Sequence, residues 1–233
     1  ANAGQTISVS VAGARGADLG NESVSAANTT QNAGTGSVST GAVDLSAETN
    51  TILAQNLTVS GPEGASVVAV GNNNTAETVA QLVNDDSGIT GVTATASTSA
   101  TLSNFGEAGT VTFSLGSGSE VATISASITP SDVSALAKAI NDTTGTSGVS
   151  AEASGGELVL SQADGKDIRL ENFANSGNAA ATVDFRGSAE TAVTIVVWGA
   201  SDSAFAAGVV EFSSSGAFTL SSDVANTPAG GSI

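Results

Sequence analysis

Residues 79–97, VAQLVNDDSGITGVTATAS, and 136–154, LAKAINDTTGTSGVSAEAS, are copies of one another and align without a gap. Asn84 answers to Asn141, Asp85 to Asp142, Gly88 to Gly145, Gly91 to Gly148 and Val92 to Val149, all at one offset. Such a duplication narrows the fold. Each copy is expected to be one supersecondary unit that buries its apolar face against its neighbours, an arrangement more common in structural and adhesive chains than in catalysts. The core must also be built from small parts. The chain of 233 residues has seven Phe, one Trp and no Tyr, so Ala and Val supply most of the apolar area. Ala in particular contributes little per residue at about 25 cal/mol/Å².

The periodicity gives the order of elements. Residues 5–12, QTISVSVA, alternate as a half-buried strand, and residues 13–41 read as loop or short irregular strands. A hairpin follows, with the strands NTILAQNLTVSG and SVVAV joined by the turn Gly61-Pro-Glu-Gly64. Thr75 then caps a helix running to about Asn84, with Ala76, Val79, Ala80 and Val83 on one face. Gly88 suits a left-handed helix stop, and GVTATAS resumes as a strand. The second unit repeats this order. A hairpin turns around Gly116–Gly118, and Ser131 or Asp132 caps a helix to about Asn141 with Val133, Leu136, Ala137 and Ile140 inward. Pro130 stands where a helix start tolerates it. A strand ladder then turns at Gly155-Gly156 and Asp164-Gly165.

The copies end alike, in LSNF (102–105) and LENF (170–173). TVDFRGSAETAVTIVVW resembles the opening hairpin again, without a capped helix after it, and residues 205–220 read as one more hairpin. The expected fold is α+β and strand-dominated: two related β-hairpin/helix/strand units plus additional β-hairpins. Four segments follow: an entry β segment and loop at 1–50, a first unit at 51–108, a second at 109–180 and a β-rich return segment at 181–233.

Several functions are excluded or disfavoured by residue type. With 22 acidic and 5 basic residues the net charge is −17, and Arg15, Lys138, Lys166, Arg169 and Arg186 are scattered singly. No basic patch neutralises phosphates, so neither nucleic acid nor an anionic membrane surface is an expected partner. The acidity suits solubility, or a salty habitat that screens self-repulsion. There is no Cys and no His, so thiolate chemistry, the commonest general base and a histidine zinc site are all absent.

Asp164-Gly165-Lys166-Asp167 lacks the alternating acids and closing Glu of a calcium loop and reads as a hairpin turn. Asp85-Asp86, just past a helix, reads as solvated surface. Glu120, Glu152, Glu157 and Glu190 fall on strands, but a glycosidase would need two of them opposed in a groove lined by aromatics. Trp198, in an apolar strand, reads as core or a junction between domains. No metal, cofactor or catalytic residue is expected.

The repeat unit resembles the flagellin IN motif. That family pattern is a strand pair, a short helix ending in a hydrophobic-Asn pair, then T-G-V/I and a strand. Here it is Val83-Asn84 with Thr90-Gly91-Val92, and Ile140-Asn141 with Ser147-Gly148-Val149, where Ser147 replaces the usual Thr. The motif residues are thus Asn84, Gly88, Gly91, Val92, Asn141, Gly145, Gly148 and Val149. The opening ANAGQTISVSV also resembles the segment where flagellins leave their first helical region for a β-hairpin.

The resemblance implies a structural part of the bacterial flagellar filament, extracellular and without catalysis. It implies partners in other flagellin subunits, contacted through long helical regions absent from this sequence, and so a central, outward-facing portion of a flagellin. It also implies O-linked glycans, with residues 21–40 and 213–222 as candidate loops. The isolated chain is expected to be a monomer. The first and last strands are expected to lie close together, because an insertion leaves and re-enters its parent near one point. The alternatives are a filament cap or hook-associated segment, and a repeat adhesin domain.

Overall fold

Both repeat units fold with the same order of elements. The computed structural model describes residues 22–26, 38–41, 50, 52–178, 181–188, 193–196 and 202–224. Two short strands come first, β1 (Glu22–Ala26) and β2 (Val38–Gly41), within the segment expected to be loop or irregular strand. The first unit is β3 (Gln55–Ser60), β4 (Ala65–Val70), α1 (Ala76–Asp85), a single helical turn α2 (Ser87–Thr90) and β5 (Val92–Ser103). The second is β6 (Gly109–Ser117), β7 (Glu120–Ile128), α3 (Ser134–Asn141), α4 (Thr144–Ser147), β8 (Ser150–Ser154), β9 (Glu157–Gln162) and β10 (Ile168–Asn175). The strands β11 (Thr182–Gly187), β12 (Val193–Val196), β13 (Ser203–Ala206), β14 (Val209–Ser214) and β15 (Thr219–Ser222) follow. The chain is α+β and strand-dominated. The expected strand at 5–12, its closeness to the last strand, and Trp198 lie outside the described residues.

The helices are placed by their caps and apolar faces. Thr75 Oγ1 accepts the Thr78 N–H at 3.3 Å, and α1 buries Ala76, Val79, Ala80 and Val83. In the second unit Asp132 Oδ1 accepts the Ser134 N–H at 2.9 Å, a bond that holds the Asp132 carboxyl below its ordinary pKa. Pro130 sits in the Thr129–Asp132 turn before α3 and not at its first position. Val133, Leu136, Ala137 and Ile140 are buried. Helices this short are marginal alone in water, so docking these faces stabilises them.

The strands form a seven-stranded sheet, a five-stranded sheet and a three-stranded sheet among the described residues. In the first, β1-β14-β5-β11-β12 run in order, β9 also pairs with β5, and β8 pairs with β9. The second runs β2-β13-β10-β6-β7 and the third β15-β3-β4. Two apolar cores result. The smaller gathers β3, β4, α1, the start of β5 and β14, around Val59, Val79, Val92 and Phe212. The larger gathers the second unit with the end of β5, β11 and β13, around Leu102, Phe113, Leu136, Phe173 and Phe185. Thus β5 belongs to both.

Two expected hairpins are instead crossovers. Residues 163–167 do not turn β9 back on itself, because β9 lies in the seven-stranded sheet and β10 in the five-stranded one. The segment 205–220 likewise sends β13, β14 and β15 into three different sheets. Gly208 shows why. A Cβ there would come within 2.6 Å of Thr98 Oγ1 and 2.7 Å of the Gly165 carbonyl, so the chain threads a narrow seam between the cores where a hairpin would need room. By contrast, TVDFRGSAETAVTIVVW does contain a hairpin, β11 with β12.

Leu102 is fully buried in the larger core and Val67 on β4 is 60 % exposed. Leu102→Ala is expected to lower the unfolding free energy by about 2–5 kcal/mol and Val67→Ala to leave it almost unchanged. Urea unfolding followed by circular dichroism checks both.

Candidate functional site: a duplicated helix–strand clasp

The motif residues converge in each copy on one small structure. Asn84 lies in the last turn of α1, and its side-chain amide acts as a surrogate peptide group. Its Nδ2 donates to the Ala94 carbonyl and its Oδ1 accepts the Ala94 N–H, both at 2.8 Å. Asn141 makes the same pair of bonds to Ala151 in the second copy, again both at 2.8 Å. The N–H and C=O of one strand residue point to the same side, so a primary amide matches both and satisfies them together. No other side chain of this length carries a donor and an acceptor in that geometry. Asn84 clasps β5 opposite β14, and Asn141 clasps β8 opposite β9.

The short helical turns deliver the chain into those strands. Gly88, expected to stop the first helix in a left-handed conformation, lies instead inside α2, and its counterpart Gly145 lies inside α4. The left-handed residues are Gly91 (φ 70°) and Gly148 (φ 71°), whose N–H groups donate back to Ser87 and Thr144 at 2.8 Å. The reversal comes late because Asp86 and Thr143 accept a further turn of helical bonds after the first helix ends.

Val92 and Val149 are the first residues of the return path, and both are fully buried. The residue before each glycine ties the turn shut. Thr90 Oγ1 donates to the Asp86 carbonyl and accepts the Val92 N–H, each at 3.2 Å. Ser147 Oγ does the same with Thr143 and Val149, each at 3.2 Å, so the Thr-to-Ser departure keeps the hydroxyl that matters. Each turn also abuts the tip of its own hairpin. The Thr90 carbonyl accepts the Glu63 N–H at 3.4 Å, and the Ser147 carbonyl accepts the Ser117 hydroxyl at 2.8 Å.

The paired endings LSNF and LENF are likewise equivalent. Asn104 and Asn172 both have positive φ, 53° and 58°, while Leu102, Phe105, Leu170 and Phe173 are buried. Asn tolerates this conformation better than other residues with a side chain.

No opposed pair of carboxylates appears among the acids considered from sequence. Glu152 faces Val159 across β8–β9 and Glu157 faces Ser154; Glu120 opens β7 far along the chain; all three are exposed. Glu190 lies outside the described residues. Asp86 Oδ2 accepts the Ser66 hydroxyl at 2.5 Å, which ties the helix end to β4. Among the described residues no group of three or more acids could hold a metal ion, and no helix is long and apolar enough to cross a membrane.

Sequence reasoning missed a second polar cluster, at the seam. Asn50 Nδ2 donates to Asp167 Oδ2 at 2.8 Å and to the carbonyls of Asn74 at 3.0 Å and Asn73 at 3.2 Å. Asn50, Asn73 and Asp167 line a cavity of about 160 Å³ together with Thr75, Gly118, Arg169 and Phe205. Burial pushes the Asp167 carboxyl up to about 6, against the opposing pull of the Asn50 amide, the Gly208 N–H and Arg169. Only the closeness of Asp167 and Arg169 in the sequence could have flagged it.

Residues 110–164 match the family model of the flagellin hook IN motif. That segment is thus similar to a flagellin IN motif. The match spans β6 to the crossover after β9, with Asn141, Gly145, Gly148 and Val149 inside it. The clasp at Asn84 repeats its hydrogen bonds in the first unit. No curated protein sequence matches the chain. Solved structures similar to it include the D1-D2-D3 domains of the flagellar cap protein FliD from Escherichia coli, at 13 % identity over 84 % of this chain and 58 % of that one, TM-score 0.23. The D2-D3 domains of the same protein match at 12 % identity over 83 % and 98 %, TM-score 0.22. FliD from Helicobacter pylori matches at 10 % identity over 88 % and 94 %, TM-score 0.23. The chain thus spans 58 % of the length of the three-domain cap structure.

Removing a clasp leaves a strand N–H and C=O without partners. Asn84→Ala is expected to cost about 1–3 kcal/mol, and Asn141→Ala less, because its bonds are exposed to water that can replace them. Asn84→Asp, which keeps the acceptor and loses the donor, should fall between Asn84 and Ala. Chemical denaturation of the three variants measures the order.

Proposed function

We propose that the chain is a surface-exposed outer portion of a bacterial flagellin, a structural component of the flagellar filament without catalytic activity. The observation that carries this reading is the duplicated clasp, one copy of which is the matched IN motif. The resemblance of the opening ANAGQTISVSV to the flagellin entry segment favours flagellin over a cap or hook-associated protein. An adhesin reading has less support, since among the described residues no group of three or more acids could hold a metal ion.

In this reading the chain lies outside the cell on the flagellum, and its partners are other flagellin subunits. The net charge of −17 gives the filament a strongly acidic surface, which keeps neighbouring outer portions apart at low salt and lets them approach as salt screens them. Within 213–222, Ser215, Thr219 and Ser221 are exposed, so they are the accessible positions for O-linked glycans; Ser214 is buried and bonded to the Gly91 carbonyl.

Immunogold electron microscopy on source cells, with antibody raised against this chain, tests the placement. Gold along the whole filament is the expected result. Gold confined to the tip or the hook junction would move the chain to the cap or hook-associated class, and gold over the cell body would favour an adhesin. An intact mass of the native protein above that of the bare polypeptide is the expected sign of glycans.

A further inference from the structure

We propose that the seam between the two cores is a pH-sensitive junction, loosened while the Asp167 side chain is ionised and tightened when it takes up a proton. Asp167 ends the crossover that carries the chain from one sheet to the other. The same crossover is tied to three separate parts of the fold. The Gly165 carbonyl accepts the Glu77 N–H in the first turn of α1 at 3.1 Å. The Lys166 carbonyl accepts the Thr98 hydroxyl, midway along β5, at 2.7 Å. Asp167 itself holds Asn50, which in turn holds the Asn73–Asn74 loop ahead of α1.

The bonds to the ionised carboxylate are incomplete. Oδ1 of Asp167 is sealed from solvent and has no hydrogen-bond partner. The one Asn50 nitrogen that serves Oδ2 has two hydrogens and three acceptors. Arg169 on β10 is the countercharge that acts on it, but its Nη2 is paired with Glu171 at 2.5 Å and its Nε is itself buried without a partner. Lys166, in the crossover, reaches instead toward Glu77 of α1 at 3.9 Å. Asp164 is occupied with the Gln162 amide at 3.2 Å, and the Gly208 N–H faces the carboxylate from the link between β13 and β14. A buried carboxylate with one oxygen unpaired favours its neutral form.

The direction of the pH effect follows. The folded-state pKa, about 6, lies above the ordinary 3.8, so the folded protein holds this proton more tightly than the unfolded chain. The favourable contribution is therefore full at low pH and is lost as pH rises from about 4 through 6. Across that window the unfolding equilibrium constant should rise ~100-fold through this one group.

The test compares the whole chain with Asp167→Asn in urea from pH 4 to pH 8. High salt screens the other carboxylates. The ratio of wild-type to variant unfolding constants should climb ~100-fold between pH 4 and 7 and then level off. A ratio that does not change with pH would overturn the proposal. Should the variant not fold, ¹³C titration of the Asp167 carboxyl in the wild type decides: a midpoint near 6 supports it, and one near the ordinary 3.8 overturns it. Tightening at the seam is read separately, from hydrogen exchange of the Glu77 amide. Its protection, corrected for intrinsic rate, should fall above pH 6, while a constant value would overturn the junction.

Discussion

One strand face holds the molecule together. Along the 12 residues of β5, the even positions from Val92 to Leu102 point to one side, as a period of two requires. Val92 and Ala94 enter the smaller core; Ala100 and Leu102 enter the larger. Between them Thr98, 2 % exposed, carries the one polar group on that buried face, and its hydroxyl is satisfied by the Lys166 carbonyl. A slip of one residue in the register of β5 would turn its buried face out of both cores at once, so the pairing of β5 with β14, β9 and β11 is specified from both ends.

The duplicated clasp does for each unit what β5 does for the pair. A helix that buries four residues or fewer of small or medium size contributes modest apolar area, so its end must be held by geometry as well as by packing. The Asn amide supplies that hold by pairing with the strand that leaves the turn, and the left-handed Gly and the hydroxyl before it set the angle of departure. The same local bonds serve two different settings. In the first unit they feed one long strand shared by both cores; in the second they feed the shorter ladder β8–β9. A unit whose internal bonds do not depend on its surroundings can be duplicated and then embedded in different sheets.

Much of the fold was legible in local chemistry. The helices, their inward faces, the hairpin turns at 61–64 and 116–118 and the equivalence of the copies are all short-range features. Capping, apolar spacing and turn residues act over a few positions. The 61–64 turn and the Thr75 cap fall where those rules put them. The second turn comes instead at 118–119, since Gly116 and Ser117 still pair within β6, and Asp132 bonds the first N–H of α3 from one residue before the N-cap. The signal was ambiguous at Gly88, because a glycine near a helix end can stop the helix or ride within one more turn. The bonds of Asp86 and Thr143 decided for the latter. The Asn84 and Asn141 clasps were visible as a recurring residue, but their partners lie across a turn and were not.

The sequence by itself determined the repeat, the strand-dominated class and the small-residue core, since all three depend on composition and periodicity. Only the tertiary structure decided which strands pair. Asp164-Gly165 looks locally like a hairpin turn and 205–220 like a hairpin, yet each carries the chain from one sheet to another. Pairing depends on which long-range partner leaves the fewest backbone groups unpaired and the most apolar area buried, and no short window of sequence contains that partner. The ionisable Asp167 is the same case. Its carboxylate is an ordinary surface acid in the sequence, and it becomes a buried one only when Asn50 and Gly208 converge on it from other parts of the chain, beside the neighbouring Arg169.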